Sequence, residues 1–307
     1  MSDIALDRPI PQRRPWATRA LPYLLSLPAL LVCIGILVPF GTAIWYSLER
    51  YNLAMPYTRG FVGLDQYQDL LTSAEFWRTV EVSLIYTAAT VIVELLLGLG
   101  VALLLRERTR LNNAISIALL MPLMTAPAIA ALMWKLMTNP GFGVLSWLVS
   151  LLGVDDFRWA SAPESAMFTV VLVDVWVYTP FMIILLLAGL RSLPPQPFEA
   201  ARLDGVRPSF VFFRITLPML TPFLLTAILF RMIDSIQQFD IIYAMTQGGP
   251  GDSLLVFQVR AYLDFFQYTN VGGSAAVLMI LWAITYTLSN VFVKQWHKLR
   301  ERARGHV

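Results

Sequence analysis

Residues 199–218 read EAARLDGVRPSFVFFRITLP. Pro194 and Pro195 stand just before this stretch and disfavour continuation of the apolar helix that precedes them, because proline lacks a backbone N–H and clashes with the preceding turn. Residues 199–203 are mainly strong helix formers, and Gly205 can take the left-handed conformation that caps a helix end. The stretch therefore predicts a short helix, a sharp turn and then a second helix that becomes apolar at Ile215.

The rest of the chain is typical of a membrane protein with several crossings. Of its 307 residues, 57% are hydrophobic and 14% are charged, and its mean hydropathy is +0.63, whereas a soluble protein has about 25% charged residues. A bilayer core about 30 Å thick needs roughly 20 apolar residues of helix. Six stretches meet this condition, of which the fifth is the weakest: 21–45, 82–105, 114–137, 166–190, 215–233 and 273–293.

We expect an all-α membrane protein with a transmembrane domain over residues 21–293, a segment 1–20 before it and a basic tail 294–307 after it. Lysines and arginines number four before the first stretch, three in 106–113, four in 191–214 and five after 293, against five in the loops of the other side. Because positive loops stay in the cytoplasm, both termini and residues 199–205 are predicted to be cytoplasmic. The first stretch has no cleavage site of small residues after it and is interpreted as an uncleaved anchor.

The stretch quoted above resembles a motif of binding-protein-dependent ABC importer permeases: E-A-A, three residues, G, nine residues, then I-x-L-P. The resemblance implies a type I ABC importer permease fold of six transmembrane helices, with a cytoplasmic coupling helix between the fourth and fifth that sits in a cleft of an ATP-binding subunit. Small side chains would allow close approach to that subunit, and the Glu199 carboxylate could pair with a basic group on it. The implied coupling residues are Glu199, Ala200, Ala201, Asp204, Gly205, Ile215, Leu217 and Pro218.

Further fragments resemble the carbohydrate branch of that family, in particular the type represented by the larger maltose-transporter permease subunit. They are residues 61–64 with Tyr67, Glu94 with Gly98 and Gly100, and residues 246–250. The chain departs from that subunit by lacking its large extra external domain and by having Gln247 in the last fragment. The resemblance implies import of a sugar or sugar derivative by alternating access, with a permease for a non-sugar solute as the alternative.

Polar residues inside the predicted spans suggest where a solute binds, because such residues usually face a cavity or a partner helix. Residues spaced by three or four share one helical face, and the resemblance aligns two such sets with the family's substrate-lining positions. The first set lies on the fourth span and the second at the end of the fifth: Asp174, Tyr178 and Phe181, then Arg231, Asp234, Ser235 and Gln238.

Arg231 leaves two interpretations open. It could pair with Asp174 or Asp234 and hold two helices together; if instead it faces the pathway unpaired, an anionic solute becomes attractive, because guanidinium binds phosphate and sulfonate groups in a bidentate manner. Glu94 is expected to bond a neighbouring helix, and Lys135 to extend toward the outer interface.

Several functions are excluded or disfavoured. No G-x-x-x-x-G-K-[ST] occurs, so the chain is not expected to hydrolyse ATP itself. Cys33 is the only cysteine, and His297 and His306 lie in the basic tail, which argues against a metal centre. The basic residues lie in short clusters between apolar stretches, so we do not expect nucleic-acid binding.

The expected partners follow from the resemblance. They are a second permease, related but different unless the complex is a homodimer, two subunits that bind ATP and Mg²⁺, an external solute-binding protein, and the lipid of the bacterial inner membrane. No cofactor is expected in this chain. The competing classes are an ion-coupled secondary transporter that uses Asp174 and Glu94, and a structural or signalling membrane subunit.

Overall fold

The computed structural model describes residues 16–154 and 157–304, with side chains over 21–154 and 157–296. Almost all of this is helix; the exception is a small antiparallel hairpin of β1 (Glu49–Arg50) and β2 (Gly60–Phe61). The first fifteen residues, His306 and the extreme end of the basic tail lie outside the described residues. The helices are, in chain order, α1 (Trp16–Ser47), α2 (Asp65–Thr72), α3 (Ala74–Leu104), α4 (Arg110–Ala118), α5 (Pro127–Met137), α6 (Val144–Ser150), α7 (Pro163–Ser192), α8 (Gln196–Leu203), α9 (Pro208–Phe210), α10 (Leu217–Ile236), α11 (Asp240–Thr246), α12 (Phe257–Phe266) and α13 (Val271–Arg304).

Five helical rods in the described residues are long and apolar enough to cross a membrane. They coincide with the first, second, fourth, fifth and sixth predicted stretches. The fifth is longer than its sequence suggested, because α9, a π-helical segment at Val211–Thr216 and α10 form one rod. The five rods are Leu21–Ser47, Ala74–Leu104, Pro163–Ser192, Pro208–Ile236 and Val271–Trp296.

The third predicted stretch, 114–137, is not one continuous helix, and that part of the prediction is corrected. Arg110–Met124 and Pro127–Met137 meet at an angle of 90°. Proline at 127 disfavours the helical conformation for the residue before it, and Ala126 is extended, with ψ at 129°. The described chain therefore has a sixth crossing only if this bent pair counts as one.

The bundle is built around α3 and α7, which pack along each other, and α10 packs across both. Glycine allows this close approach: a Cβ added at Gly98 of α3 would lie 2.6 Å from Met182 Cβ on α7. At Gly189 of α7 an added Cβ would lie 2.6 Å from the Phe223 ring on α10. The helix axes are therefore closer than any larger residue at these two positions would permit.

This packing gives a first prediction. Gly98→Ala is expected to destabilise the folded chain by about 1–3 kcal/mol, the usual effect of overpacking a close contact, and to lower the midpoint of thermal unfolding. Gly100→Ala is the matched control in the same helix, since no described residue places an atom within 4 Å of its added carbon. Equal unfolding midpoints for the two purified variants would contradict the proposed close approach.

The two ends of the bundle differ. At one end, called the α8 end, Arg191 Nη2 donates to the Leu105 carbonyl at 2.9 Å, so the ends of α3 and α7 meet beside α8. At the other, called the hairpin end, Asn52 pairs with Asn270. Helix α1 is exposed along most of its length and contacts α13, where the Phe40 and Trp282 rings lie 5.4 Å apart.

Candidate functional site

Helix α8 occupies the quoted stretch and ends as predicted. Gly205 has φ of +64°, the left-handed conformation. The Val206 N–H donates to the Ala201 carbonyl at 3.0 Å, and the Gly205 N–H donates to the Arg202 carbonyl at 3.2 Å. These two hydrogen bonds form a Schellman motif, which satisfies the last carbonyls of α8 and turns the chain toward the next helix.

One side of α8 packs on the chain and the other is exposed. Phe198 and Ala201 are buried, whereas the predicted coupling residues Glu199, Ala200 and Asp204 are exposed. Ala201 therefore contacts its own chain rather than offering surface to a partner. Leu203, which sequence reasoning missed, is 89% exposed. Its position after the E-A-A motif on the open side of a short helix was the available signal.

Arg106 fixes α8 to the end of α3, and Arg191, the penultimate residue of α7, fixes α7 to the same end. The Arg106 guanidinium lies over the Phe198 ring, with its Cζ 4.5 Å from the ring centroid. Arg191 donates to the carbonyls of Leu105 and Arg106 at 2.9 and 3.4 Å. These carbonyls have no partner within their own helix, so Arg191 caps α3. The short helix, α3 and α7 are thus joined at one end of the bundle.

The remaining motif residues lie in the helix that follows α8. Ile215 is the fifth residue of the π-helical segment, and Leu217 and Pro218 begin α10. Pro218 has no N–H to donate, and the Leu217 N–H bonds the Phe212 carbonyl five residues earlier. The π-helical segment contacts α8, so these three residues belong to the connection between α8 and the fifth span.

A second cluster surrounds Arg231, which is 1% exposed. Its Nε and Nη2 atoms donate to the two oxygens of Glu94 on α3, at 2.6 and 3.0 Å. Nη2 also donates to Asp174 on α7, and Nη1 donates to Asp234 on its own helix at 2.7 Å. One guanidinium therefore joins the three central helices through three carboxylates.

Polar and aromatic neighbours complete the cluster. Gln238 Nε2 donates to the other Asp174 oxygen at 3.0 Å, and the Arg231 Cζ lies 4.1 Å from the centroid of the Tyr178 ring. The hydroxyl groups of Thr90 and Ser235 are 2.8 Å apart and hydrogen-bond across α3 and α10. Buried polar groups that are all paired in this way hold helices in one arrangement.

An open groove of about 460 Å³ lies against this cluster at the end of α10. Three of the predicted substrate-lining residues, Tyr178, Asp234 and Gln238, line it. Sequence reasoning missed the others. Of the two polar ones, Gln237 follows Asp234 by three residues and extends the predicted polar face, whereas Asp240 begins α11. The additional lining residues are Phe230, Ile233, Gln237, Phe239 and Asp240.

Comparison with known proteins decides the family. The family described as "Binding-protein-dependent transport system inner membrane component" matches residues 94–305, more than half of the chain, including α8 and the Arg231 ion cluster from Glu94 onward. The chain belongs to this family of transport permeases.

Two relatives align over most of their length. The trehalose/maltose transport permease MalF of Thermococcus litoralis is 35% identical over 290 residues, covering 94% of this chain and 98% of the relative. The sn-glycerol-3-phosphate transport permease UgpA of Shigella dysenteriae is 32% identical over 285 residues, covering 89% and 93%. A bacterial transporter that imports the acidic polysaccharide alginate has a chain with the same fold, with a TM-score of 0.78, 19% identity and coverage of 92% and 97%.

The remaining predicted lining residues are not in the groove of this permease. Asp174, Arg231 and Ser235 are buried inside the bundle, and Phe181 is half-buried on α7. In the single chain the three buried residues pack among α3, α7 and α10, and the contact of these four residues with a solute stays a prediction. The sequence could not reveal this packing, since apolar residues surround the polar ones on every side of these helices.

The same geometry selects between the two interpretations of Arg231. It pairs with Asp174 and Asp234 and also with Glu94, so the unpaired arginine that the anionic-solute hypothesis requires is not present. Glu94 bonds a neighbouring helix, as expected. Lys135 donates to the Ala244 carbonyl at 3.4 Å. Among the side chains that the structure describes, no group of three or more His, Cys, Asp and Glu residues is arranged to hold a metal ion.

Proposed function

We propose that this permease is one of two membrane-spanning subunits of an ATP-driven importer that carries a sugar or sugar derivative across the bacterial inner membrane. The proposal rests on α8, which exposes Glu199, Ala200 and Asp204, is capped by Gly205 and is fixed to α3. A short helix that packs on its own chain along one side and is exposed along the other is suited to docking in a cleft of a separate ATPase subunit. Energy then comes from ATP and Mg²⁺ bound by two such partners, with no cofactor in this chain.

The proposed route of the motion runs through the two clusters. A pull on α8 acts on α3 through the contact of Arg106 with Phe198, while Arg191 of α7 holds the end of α3. Helix α3 carries Glu94 about 16 Å further along its length. Glu94 holds Arg231 of α10, and α10 is itself joined to α8 through the π-helical segment. Movement of α8 would therefore shift α3 and α10 as a unit, which opens the groove alternately to the two sides of the membrane.

The orientation follows from charge. Sixteen of the basic residues fall in the sequence segments 1–20, 106–113, 191–214 and 294–307. Of these segments, 106–113 and 191–214 lie at the α8 end in the structure, and positive loops stay in the cytoplasm. We therefore infer that the α8 end and both termini are cytoplasmic and that the hairpin end meets an external solute-binding protein. A second permease, related but different, is proposed to complete the pathway, since the groove is open on one side.

The sugar assignment rests on the trehalose/maltose relative and on the groove. Hydroxyl-rich solutes need amide and carboxylate partners, which Gln237, Gln238 and Asp234 supply, and aromatic faces against which a ring can pack. The ion-coupled alternative would use Glu94 and Asp174 as coupling carboxylates. Both already bind Arg231, so the geometry favours the ATP-driven importer.

The proposal is tested by assembling the complex and by identifying the energy source that drives solute uptake. Co-expression with the ATPase subunits and the second permease is expected to yield a complex whose ATP hydrolysis in liposomes rises when solute-loaded binding protein is added. Uptake should stop when ATP is removed and should be insensitive to collapse of the proton and sodium gradients. Uptake that follows an ion gradient without ATP would contradict the proposal.

The α3 cap gives a second prediction. Arg191→Ala is expected to leave the complex assembled but to lower the amount of solute carried per ATP hydrolysed several-fold, because α7, which leads into α8, is then no longer fixed to the end of α3. Arg207→Ala is the matched control, since Arg207 is exposed in the same loop. The ratio of uptake to ATP hydrolysis is measured in proteoliposomes. An unchanged ratio in Arg191→Ala would show that the contact of Arg191 with the end of α3 plays no part in coupling ATP hydrolysis to solute uptake.

A further inference from the structure

The groove beside Arg231 has an unbalanced charge. Asp234 and Asp240 line it, and both carboxylates are exposed. Among the eight described residues that line the groove there is no lysine, arginine or histidine. Lys135 approaches α11, but its ammonium group donates to the Ala244 carbonyl instead of lining the groove.

The buried cluster behind the groove does not restore the balance. It contains one guanidinium, Arg231, and two further carboxyl groups, Glu94 and Asp174. The region therefore holds four carboxyl groups and one permanent positive charge. It stays net negative even when both buried carboxyl groups are protonated, because the two exposed carboxylates still outnumber the guanidinium. A net negative groove repels an anion.

The other groove residues suit an uncharged polyol. Gln237 and Gln238 are amides that both donate and accept hydrogen bonds, and carboxylates accept hydrogen bonds from hydroxyl groups. The Phe239 ring is part of an aromatic stack with Tyr243, 4.9 Å away with an interplanar angle of 14°. An aromatic surface next to dense acceptors matches the apolar face and hydroxyl rim of a sugar ring.

We propose that this groove selects uncharged, hydroxyl-rich solutes and rejects phosphorylated or otherwise anionic ones, with Asp234 and Asp240 as the residues that determine this selectivity. The inference rests on the proposed function and narrows its substrate class. Arg231, which by sequence alone could have attracted an anion, instead holds Asp234 in place at the edge of the groove. Asp240 acts directly, as a charge that faces the solute.

The experiment compares two probes that share the same sugar and differ by one anionic phosphate group, trehalose and trehalose 6-phosphate. Their dissociation constants for the full chain in lipid nanodiscs are measured by saturation-transfer difference NMR, without binding protein or ATPase subunits. Wild type is expected to bind trehalose at least tenfold more tightly than its phosphate. Asp240→Asn should reduce this ratio about tenfold and Asp240→Lys by a further factor of about ten, as expected for successive unit charges near the ligand.

The control is Asp69→Asn, which removes the same charge from an exposed position on α2 at the hairpin end and should leave the ratio unchanged. Equal or tighter binding of the phosphate by wild type, an unchanged ratio in both Asp240 variants, or failure of trehalose and maltose to bind would each overturn the inference. The binding ratio is measured on the chain alone, so its outcome does not depend on the test of the proposed function. The proposed function fails separately if the assembled complex does not hydrolyse ATP in response to loaded binding protein.

Discussion

Arg231→Ala is expected to lower the free energy of unfolding by about 3–5 kcal/mol, since removing one member of a buried ion cluster leaves its partners uncompensated. Glu94 and Asp174 are both fully buried, so two carboxyl groups would lose their cation in a medium that solvates them poorly. We expect little monodisperse protein after detergent extraction and a thermal unfolding midpoint well below that of wild type.

A combined variant separates charge from packing. Arg231→Ala together with Glu94→Gln and Asp174→Asn removes the unpaired charges and is expected to recover a large part of the lost stability, although the space once filled by the arginine remains. Asp234→Asn should lower the free energy of unfolding by less than Arg231→Ala does, because the Asp234 side chain is 54% exposed and water can solvate it. Wild-type stability for Arg231→Ala, or a combined variant less stable than Arg231→Ala, would contradict the account of this cluster.

Glu199→Lys is expected to abolish most of the solute uptake, at least tenfold, while the isolated permease keeps its stability. Glu199 is exposed in the first turn of α8, so reversing its charge removes nothing that holds the fold together. The charge reversal instead acts on the surface that we propose to dock with the ATPase subunit. Uptake is measured in proteoliposomes and stability by thermal unfolding of the purified chain.

Glu107→Lys is the matched control for this variant. It makes the same charge change at an exposed position of the α8 end, outside α8 itself, and should leave uptake within about twofold of wild type. Equal uptake losses in both variants would mean that net charge at this end, rather than the α8 surface, controls transport.

Sequence patterns were informative where the physics is local. The cap at Gly205 was predictable because few residues other than glycine tolerate its conformation, and the long apolar stretches predicted five rods that the structure contains. The bend near Ala126 was harder to predict, because hydropathy averaged over 114–137 is insensitive to two prolines that interrupt one helix.

The candidate site was predictable in composition but not in exposure. The spacing of Asp174 and Arg231 placed both on polar helical faces, and the structure brings them together. Whether such a face meets a neighbouring helix or a groove depends on residues far away in the chain, here Glu94 on α3. Asp240 lies beyond the end of the predicted fifth span, at the first residue of α11. No local pattern indicates the direction of the connection between α10 and α11, and Asp240 therefore escaped prediction.

The central claim, that α8 is the surface held by an ATPase subunit, is tested most directly by cross-linking. In a Cys33→Ser background, Leu203→Cys places a thiol at an 89% exposed position of α8, and Asp69→Cys places one at the hairpin end. In the assembled complex, a short bifunctional reagent is expected to join the ATPase subunit to position 203 and not to position 69. Cross-linking at position 69 with none at position 203 would contradict the account.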